Sequence, residues 1–322
     1  AMAFGDIPSA CGKNCPYKRC LIPFRVTFVT PGLHVKIAVV ELFVDLTGVT
    51  SRARPQDEGD AMRTAIKVQR KQRLADVLAA IKAAKQAGAK LVVFPGWTLF
   101  GRDLPKNVLA ASKDMTVVLE TFVRVDGPKK GAMARVVHDG AEVLTARQRI
   151  SQGGHVLNDN ALAHGASMLV SEIVGGKRDV TVGSKDALLL LCGEINLVGG
   201  GSTGPGSAYH RDEVAAHQPP LTEAALSTRP LVLNPSHTWM GPNASREKRK
   251  WLASKGTLLT TANKRTGYWG WRRDKEADEW VVDQKRAGKA AARAYCNGKL
   301  VPLAPTPLTG RPNVTVAYVD VS

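Results

Sequence analysis

The chain has 322 residues, 44% of them apolar, and a formal net charge of +17. That is material for one large domain or two medium ones with a sizeable core. No segment approaches the run of about 18 apolar residues that spans a bilayer as a helix, and five cysteines are too few for a disulfide scaffold of this length. The apolar stretch Leu21–Val29 is broken by Pro23 and Arg25 and does not read as a secretory signal. A soluble, cytoplasmic protein with no membrane partner is the expectation.

Residues 1–34 read as an N-terminal extension without periodicity. Cys11, Cys15 and Cys20 lie there at a C-x3-C-x4-C spacing that fits no common zinc pattern and has no adjacent fourth ligand. They read as loose thiols, and no metal or cofactor is expected. The single domain then runs over 35–322. Val35–Val40 is a strand, and Thr50–Asp60 reads as loop. Leu74, Val77, Leu78 and Ile81 recur at i, i+3, i+4, i+7 and predict a helix, with Gly88 as its stop. Lys90–Pro95 is a second strand, and strand–helix–strand predicts a sheet covered by helices. Asp139-Gly140 is a hairpin turn between Ala134–Val137 and Glu142–Ala146.

Gly153–Gly165 reads as loop, Val180–Val182 as a short strand, and Lys185–Cys192 as a buried strand. Gly199–Gly206 is a glycine-rich loop with neither Walker nor Rossmann spacing. Leu231–Asn234 and Thr257–Ala262 are further strands, Ser245 starts a helix that runs to Lys255, and Val314–Val319 is the tail strand. Between Arg246 and Arg293 stand fourteen Lys or Arg against six Asp or Glu, interleaved with tryptophans. Either a polyanion or nucleic acid meets that segment, or it is a solvated face and subunit contact. The cluster Lys248, Arg249, Lys250 is its densest point.

Cys192 closes the apolar run Ala187–Leu191 and precedes Gly193, Glu194, Ile195 and Asn196. A cysteine at a strand end, followed by a glycine able to turn sharply, has the placement of a nucleophile on a strand-to-helix turn. The alternative is a small buried core thiol.

The order of these segments resembles the nitrilase, or carbon–nitrogen hydrolase, superfamily. The matching pieces are Lys36–Val40, Leu91–Pro95, the Asp-Gly hairpin leading to Ala146-Arg147-Gln148, Leu191–Glu194, Leu233–Ser236 and Thr261–Gly267. The resemblance implies an α/β fold, a four-layer α-β-β-α sandwich, assembled as dimers or larger homo-oligomers. It also implies a Glu general base, a Lys that stabilises the oxyanion and a Cys nucleophile, acting on an amide or nitrile-like small molecule. Carried across, the Glu position is Gly96, the Lys position is Gln148, and the Cys position is Cys192. Gly96 and Gln148 are expected to line one cavity with Cys192.

The nearest acid after Gly96 is Asp103, so no base is expected beside it. Without a base or cation, the thiol is expected to hold a pKa near or above ~8.5. Arg149 is a candidate oxyanion cation, Glu194 reads first as architectural and second as a rebuilt base, and His237 is a candidate base for Cys192. Glu41 reads as structural. A degenerate-triad binding or regulatory protein is therefore favoured, and the alternative is an active hydrolase or acyl-transfer enzyme with a base rebuilt from His237 or Glu194.

Overall fold

The structure is a computed structural model and describes residues 34–46, 50–51, 58–123, 132–150, 159–183, 185–197, 230–237, 244–254, 256–265, 271–282 and 291–321. The extension with Cys11, Cys15 and Cys20, and the Gly199–Gly206 loop, lie outside these residues. In chain order the first elements are β1 (Val35–Val44), β2 (Thr50–Ser51), α1 (Glu58–Val68), α2 (Arg70–Gln86), β3 (Leu91–Val93) and β4 (Leu99–Phe100). Next come α3 (Lys106–Ala111), β5 (Thr116–Phe122), β6 (Met133–His138), β7 (Ala141–Ala146), α4 (Asp159–Val174), β8 (Asp179–Val182) and β9 (Lys185–Leu189). A 3-10 turn (Cys192–Leu197), β10 (Leu231–Ser236), α5 (Ala244–Leu252), β11 (Thr257–Ala262) and β12 (Lys264–Arg265) follow. The last strands are β13 (Trp271–Asp274), β14 (Glu279–Val282), β15 (Arg293–Cys296), β16 (Lys299–Val301), β17 (Thr306–Leu308) and β18 (Arg311–Val321).

Two sheets carry the fold. The first runs β17-β18-β1-β3-β5-β6-β7, and the second runs β16-β15-β11-β10-β9-β8. Within them β1, β3 and β5 are parallel, as are β9, β10 and β11. Strand alternation sorts the side chains into layers. Ile37 and Val39 of β1 face Ala187, Leu189 and Leu191 of the second sheet across a shared apolar core. Ala38, Val40 and Leu42 turn the other way and meet Val77, Ala80, Ile81 and Ala84 of α2. Leu188, Leu190 and Cys192 point outward from the second sheet toward Leu169, Val170 and Ile173 of α4 and Leu252 of α5. The result is the expected α-β-β-α order of layers. The sheets meet at the carboxyl ends of their parallel strands: Phe43 of β1 pairs with Lys264, and the Thr261 hydroxyl donates to the Val40 carbonyl at 2.5 Å.

Several expectations change. Part of the 50–60 loop is β2, and α1 begins at Glu58. The loop drawn over 153–165 gives way to α4 from Asp159. The sequence reading passed over β5, although Thr116–Phe122 is buried at every position. Lys248 and Arg249 of the basic cluster are buried, each 3% exposed, so the cluster is not a surface patch. The α2 stop holds as expected, with Gly88 at φ +77, and the hairpin turns through Asp139 and Gly140, both at positive φ. No helix among the described residues is long and apolar enough to cross a membrane.

Candidate active site

Cys192 stands where β9 ends and the 3-10 turn begins, and its own φ is +40. The sequence placed the sharp turn on Gly193, but the left-handed residue is the cysteine. Such a backbone in a residue with a Cβ is strained and persists only where its surroundings hold it. Glu194, fully buried, does much of the holding. Its Oε2 accepts the Leu191 N–H at 2.7 Å and its Oε1 the Arg149 N–H at 2.7 Å. Arg178 donates to both oxygens at 3.0 Å. Asn234 of β10 completes the cradle, donating through Nδ2 to the Leu190 carbonyl at 2.8 Å and the Cys192 carbonyl at 3.4 Å. With four donors on its two oxygens, Glu194 is architectural and its role as a rebuilt base is withdrawn. Burial pushes its carboxyl pKa up, against the pull of Arg178.

A histidine reaches the thiol from the neighbouring strand. His237, the residue after β10, is the neighbour that favours the ionised form of Cys192, through its charge and its hydrogen-bonding groups. Its Nε2 lies 2.7 Å from Oε2 of Glu120 on β5. The same carboxylate oxygen accepts the backbone N–H of Trp97 at 2.5 Å. The chain of groups is therefore Cys192, His237, Glu120, with one residue from the first sheet and two from the second.

Gly96 explains why this fits. A Cβ at residue 96 would lie 2.3 Å from His237 Cδ2 and 3.1 Å from Glu120 Oε2. The imidazole and the carboxylate fill the volume that a side chain at residue 96 would need. A side chain at residue 96 and the Glu120–His237 pair thus exclude each other. The expectation that no base lies near Gly96 is corrected: sequence distance hid an acid from the neighbouring strand.

The imidazole is clamped. The Trp97 indole stacks on it at 4.2 Å between centroids and 7° between planes, and the Arg63 guanidinium lies 4.7 Å from the centroid of the same indole. Asn263 donates through Nδ2 to the Gly96 carbonyl at 2.6 Å and the His237 carbonyl at 2.8 Å. Arg73 of α2 in turn donates to Asn263 Oδ1, to the Thr98 carbonyl at 3.0 Å and to the Phe43 carbonyl at 3.1 Å. A buried helix residue thus ties both sheet ends to the loop that carries the histidine.

The electrostatics follow from this geometry. Burial opposes the His237 imidazolium, but the charges of Glu120 and Cys192 raise its pKa to about 10. Burial likewise opposes the Cys192 thiolate, and the positive charge and hydrogen bonds of His237 outweigh it, so the thiol pKa falls. The thiol expected at or above ~8.5 is instead held below the ordinary thiol range, with His237 as the cause.

Gln148, at the Lys position, donates its amide to the Ile150 carbonyl two residues on, at 2.6 Å. The Arg149 side chain is engaged by Glu172, with Nε at 2.8 Å, and so is not the oxyanion cation. Glu41 accepts the N–H groups of Ala291 and Ala292 and the Thr315 hydroxyl, a structural role. Among the described residues no cluster of His, Cys, Asp and Glu is placed to hold a metal ion.

No protein-family model matches the sequence, and no curated protein is matched. Solved structures are matched in shape. An amidase from Nesterenkonia sp. AN1, with an acetamide moiety added at its active-site cysteine, shares 15% identity over 89% of this chain and 90% of its own, with a TM-score of 0.44. Another structure of that amidase, described as from the nitrilase superfamily, shares 14% identity over 89% of this chain and 90% of its own, with a TM-score of 0.43. A glutamine-dependent NAD(+) synthetase from Cytophaga hutchinsonii shares 12% identity over 89% of this chain, with a TM-score of 0.43. This chain spans only 43% of that synthetase. At these values the matches are likenesses of shape, and the chemistry is carried by this chain's own atoms. Those atoms define a two-sheet sandwich with a cysteine, a histidine and a glutamate joined at its strand ends.

Proposed function

We propose that the protein is a cysteine-dependent hydrolase or acyl-transfer enzyme acting on an amide, nitrile or related acyl substrate. The observation that carries this reading is the buried Glu120–His237–Cys192 chain occupying the space left by Gly96. In this scheme the Cys192 thiolate attacks the electrophilic carbon of the substrate. For an amide, negative charge moves to the carbonyl oxygen, and the tetrahedral adduct collapses as His237 gives its proton to the departing nitrogen. The products of that half are a thioester on Cys192 and a free amine. His237, now neutral, takes a proton from water or another acceptor as it attacks the thioester, and the thiolate–imidazolium pair returns. Glu120 holds the imidazole in orientation and stabilises its charged form, the task of the acid in Cys–His and Ser–His sites generally.

This reading reverses the balance struck from sequence, which favoured a binding or regulatory protein. A degenerate site gives no reason for a buried acid to orient a histidine against a thiol. The enzyme reading does. Homo-oligomerisation remains part of the proposal as the resemblance implies it. The polyanion contact loses its central residues, since Lys248 and Arg249 are buried and Arg246 and Lys250 pair with Glu247.

The test is a panel of simple amides, nitriles and activated esters followed by intact-mass detection of an acyl adduct. Wild type is expected to form the adduct, with Cys192→Ala forming none and His237→Ala forming it at least about 10²-fold more slowly. An adduct that forms equally fast in His237→Ala would remove the histidine from the mechanism. Absence of any adduct with every substrate would return the protein to the binding class.

A further inference from the structure

We infer that Arg249 is a second cation of the nucleophile site, a buried guanidinium carried by α5 against the Cys192 turn, which stabilises negative charge on the sulfur and on the oxyanion formed from it. The inference deepens the enzyme reading and rests on Cys192 as its nucleophile.

Strand alternation places Cys192 on the outer face of the second sheet with Leu188 and Leu190, and α5 covers that face. Within α5, Arg249 is 3% exposed, so its side chain is committed to the protein interior. Its hydrogen bonding there is thin. Nη2 reaches Asn234 Oδ1 only at 3.5 Å, and the buried Nε has no partner. Asn234 is the residue whose amide holds the Cys192 carbonyl, so Arg249 is one side chain from the nucleophile's backbone.

The groups facing the guanidinium are Tyr295 and Arg293 from β15, Asn234 from β10 and Cys192 from the turn. None of the first three is an anion-bearing carboxylate, and Arg293 repels it. Burial lowers the Arg249 pKa; Tyr295 first, and the negative charge of Cys192 after it, work the other way. Taking a guanidinium out of water is costly unless an anion meets it. With Cys192 ionised, Glu120 and Cys192 carry two negative charges against the single positive charge of His237. The remaining anion is the ionised sulfur of Cys192, and once the sulfur attacks, the charge passes to the substrate oxygen while Arg249 stays. With Gln148 in the Lys position and Arg149 bound to Glu172, no other cation is placed for that task among the residues the resemblance singled out.

The experiment compares alkylation of Cys192 by iodoacetate, which is anionic, and iodoacetamide, which is neutral, in the full-length protein. A cation at the sulfur favours iodoacetate over the ratio shown by a small free thiol such as N-acetylcysteine. In Arg249→Gln the ratio is expected to fall about tenfold and the pH at which alkylation begins to rise by about one unit, the size of one neighbouring charge. Arg249→Lys is expected to keep most of the ratio, because it keeps the charge. A merely structural arginine would change stability and leave the ratio alone. A folded Arg249→Gln with the wild-type ratio overturns the inference.

If Arg249→Gln does not fold, His237→Ala serves instead. With the imidazolium gone, Arg249 is the cation left, and the ratio should stay above that of the free thiol. A ratio equal to the free thiol's overturns the inference. Failure of the enzyme reading looks different: wild-type Cys192 would then alkylate no faster than an ordinary thiol at neutral pH, whatever its preference between the two reagents.

Discussion

Residue 96 shows how one missing Cβ makes room for a buried imidazole and carboxylate. Glycine there is required by contact rather than by backbone, because the imidazole and the Glu120 carboxylate occupy the space of its side chain. Gly96→Ala is therefore expected to push the His237 ring off Glu120 or out of its stack on Trp97. Overpacking of this kind typically costs about 1–3 kcal/mol. Thermal unfolding should show that loss, and labelling of Cys192 at neutral pH should slow toward the rate of an ordinary thiol. If labelling is unchanged, the ring is not held where its contacts place it. The pH dependence has a definite sign. In the proposed mechanism turnover needs the thiolate and the imidazolium together, so it should rise as Cys192 loses its proton below the ~8.5 of a free thiol and fall as His237 loses its proton at about 10. Because the two groups interact, the limbs belong to the pair. Glu120→Gln removes the charge that raises the imidazole pKa, so the falling limb should move to lower pH. The rate should drop by about 10²–10⁴-fold. A pH–rate profile of that variant superimposable on wild type would remove Glu120 from the site.

At the scale of elements, the nucleophile turn is a strained peptide held from below. Glu194 joins the turn to Arg178 and to the chain after β7, and Asn234 joins it to β10. Glu194→Ala would leave Arg178, fully buried, with Glu172 as its one acidic partner. Breaking a buried pair by removing one member costs about 3–5 kcal/mol, and denaturant titration should show a loss of that size. A loss below about 1 kcal/mol would mean the turn is held by its backbone alone. β5 teaches a different lesson. Its run Thr116-Val117-Val118-Leu119-Glu120-Thr121-Phe122 has the β-branched content of a buried strand, and that signal was available. The acid within it gave no sign of its role, because nothing in the sequence relates residue 120 to residue 237. No helix was expected over α4 for a similar reason: its early polar and glycine content reads as loop, and the apolar face that makes it helical appears only against Leu188 and Leu190 of the second sheet.

For the whole molecule, the two sheets share one apolar interface, and the site sits where their parallel strands end. Crevices at the carboxyl ends of parallel strands are where open α/β sheets bind ligands, since neighbouring strands end there and loops diverge. Leu189 lies at the centre of the interface and is fully buried. Leu189→Ala should cost about 2–5 kcal/mol, read as a lower denaturant midpoint. A midpoint unchanged from wild type would mean the sheets are held chiefly by their stitched ends. The net charge of +17 is a property of the whole molecule as well, but its densest cluster is turned partly inward: Lys248 and Arg249 are buried, while Trp251 beside them is 39% exposed. Charge counted along a chain does not say which side of a helix it occupies.

The sequence by itself determined what depends on neighbours in the chain. Short apolar runs predicted β1, β9, β10 and β11, a period-3.6 apolar pattern predicted α2, and Asp139-Gly140 marked the hairpin, because these signals are local. They also singled out Cys192 at a strand end, while His237 as a candidate base came from the resemblance. Tertiary structure alone decided which groups act on one sulfur. Glu120 meets His237 across 117 positions of chain, and the space they share exists because residue 96 has no side chain. Arg249 is brought to the nucleophile turn by a helix whose buried face no charge count shows. Contacts of that kind are set by how two sheets and their helices stack, and local pattern carries no record of them.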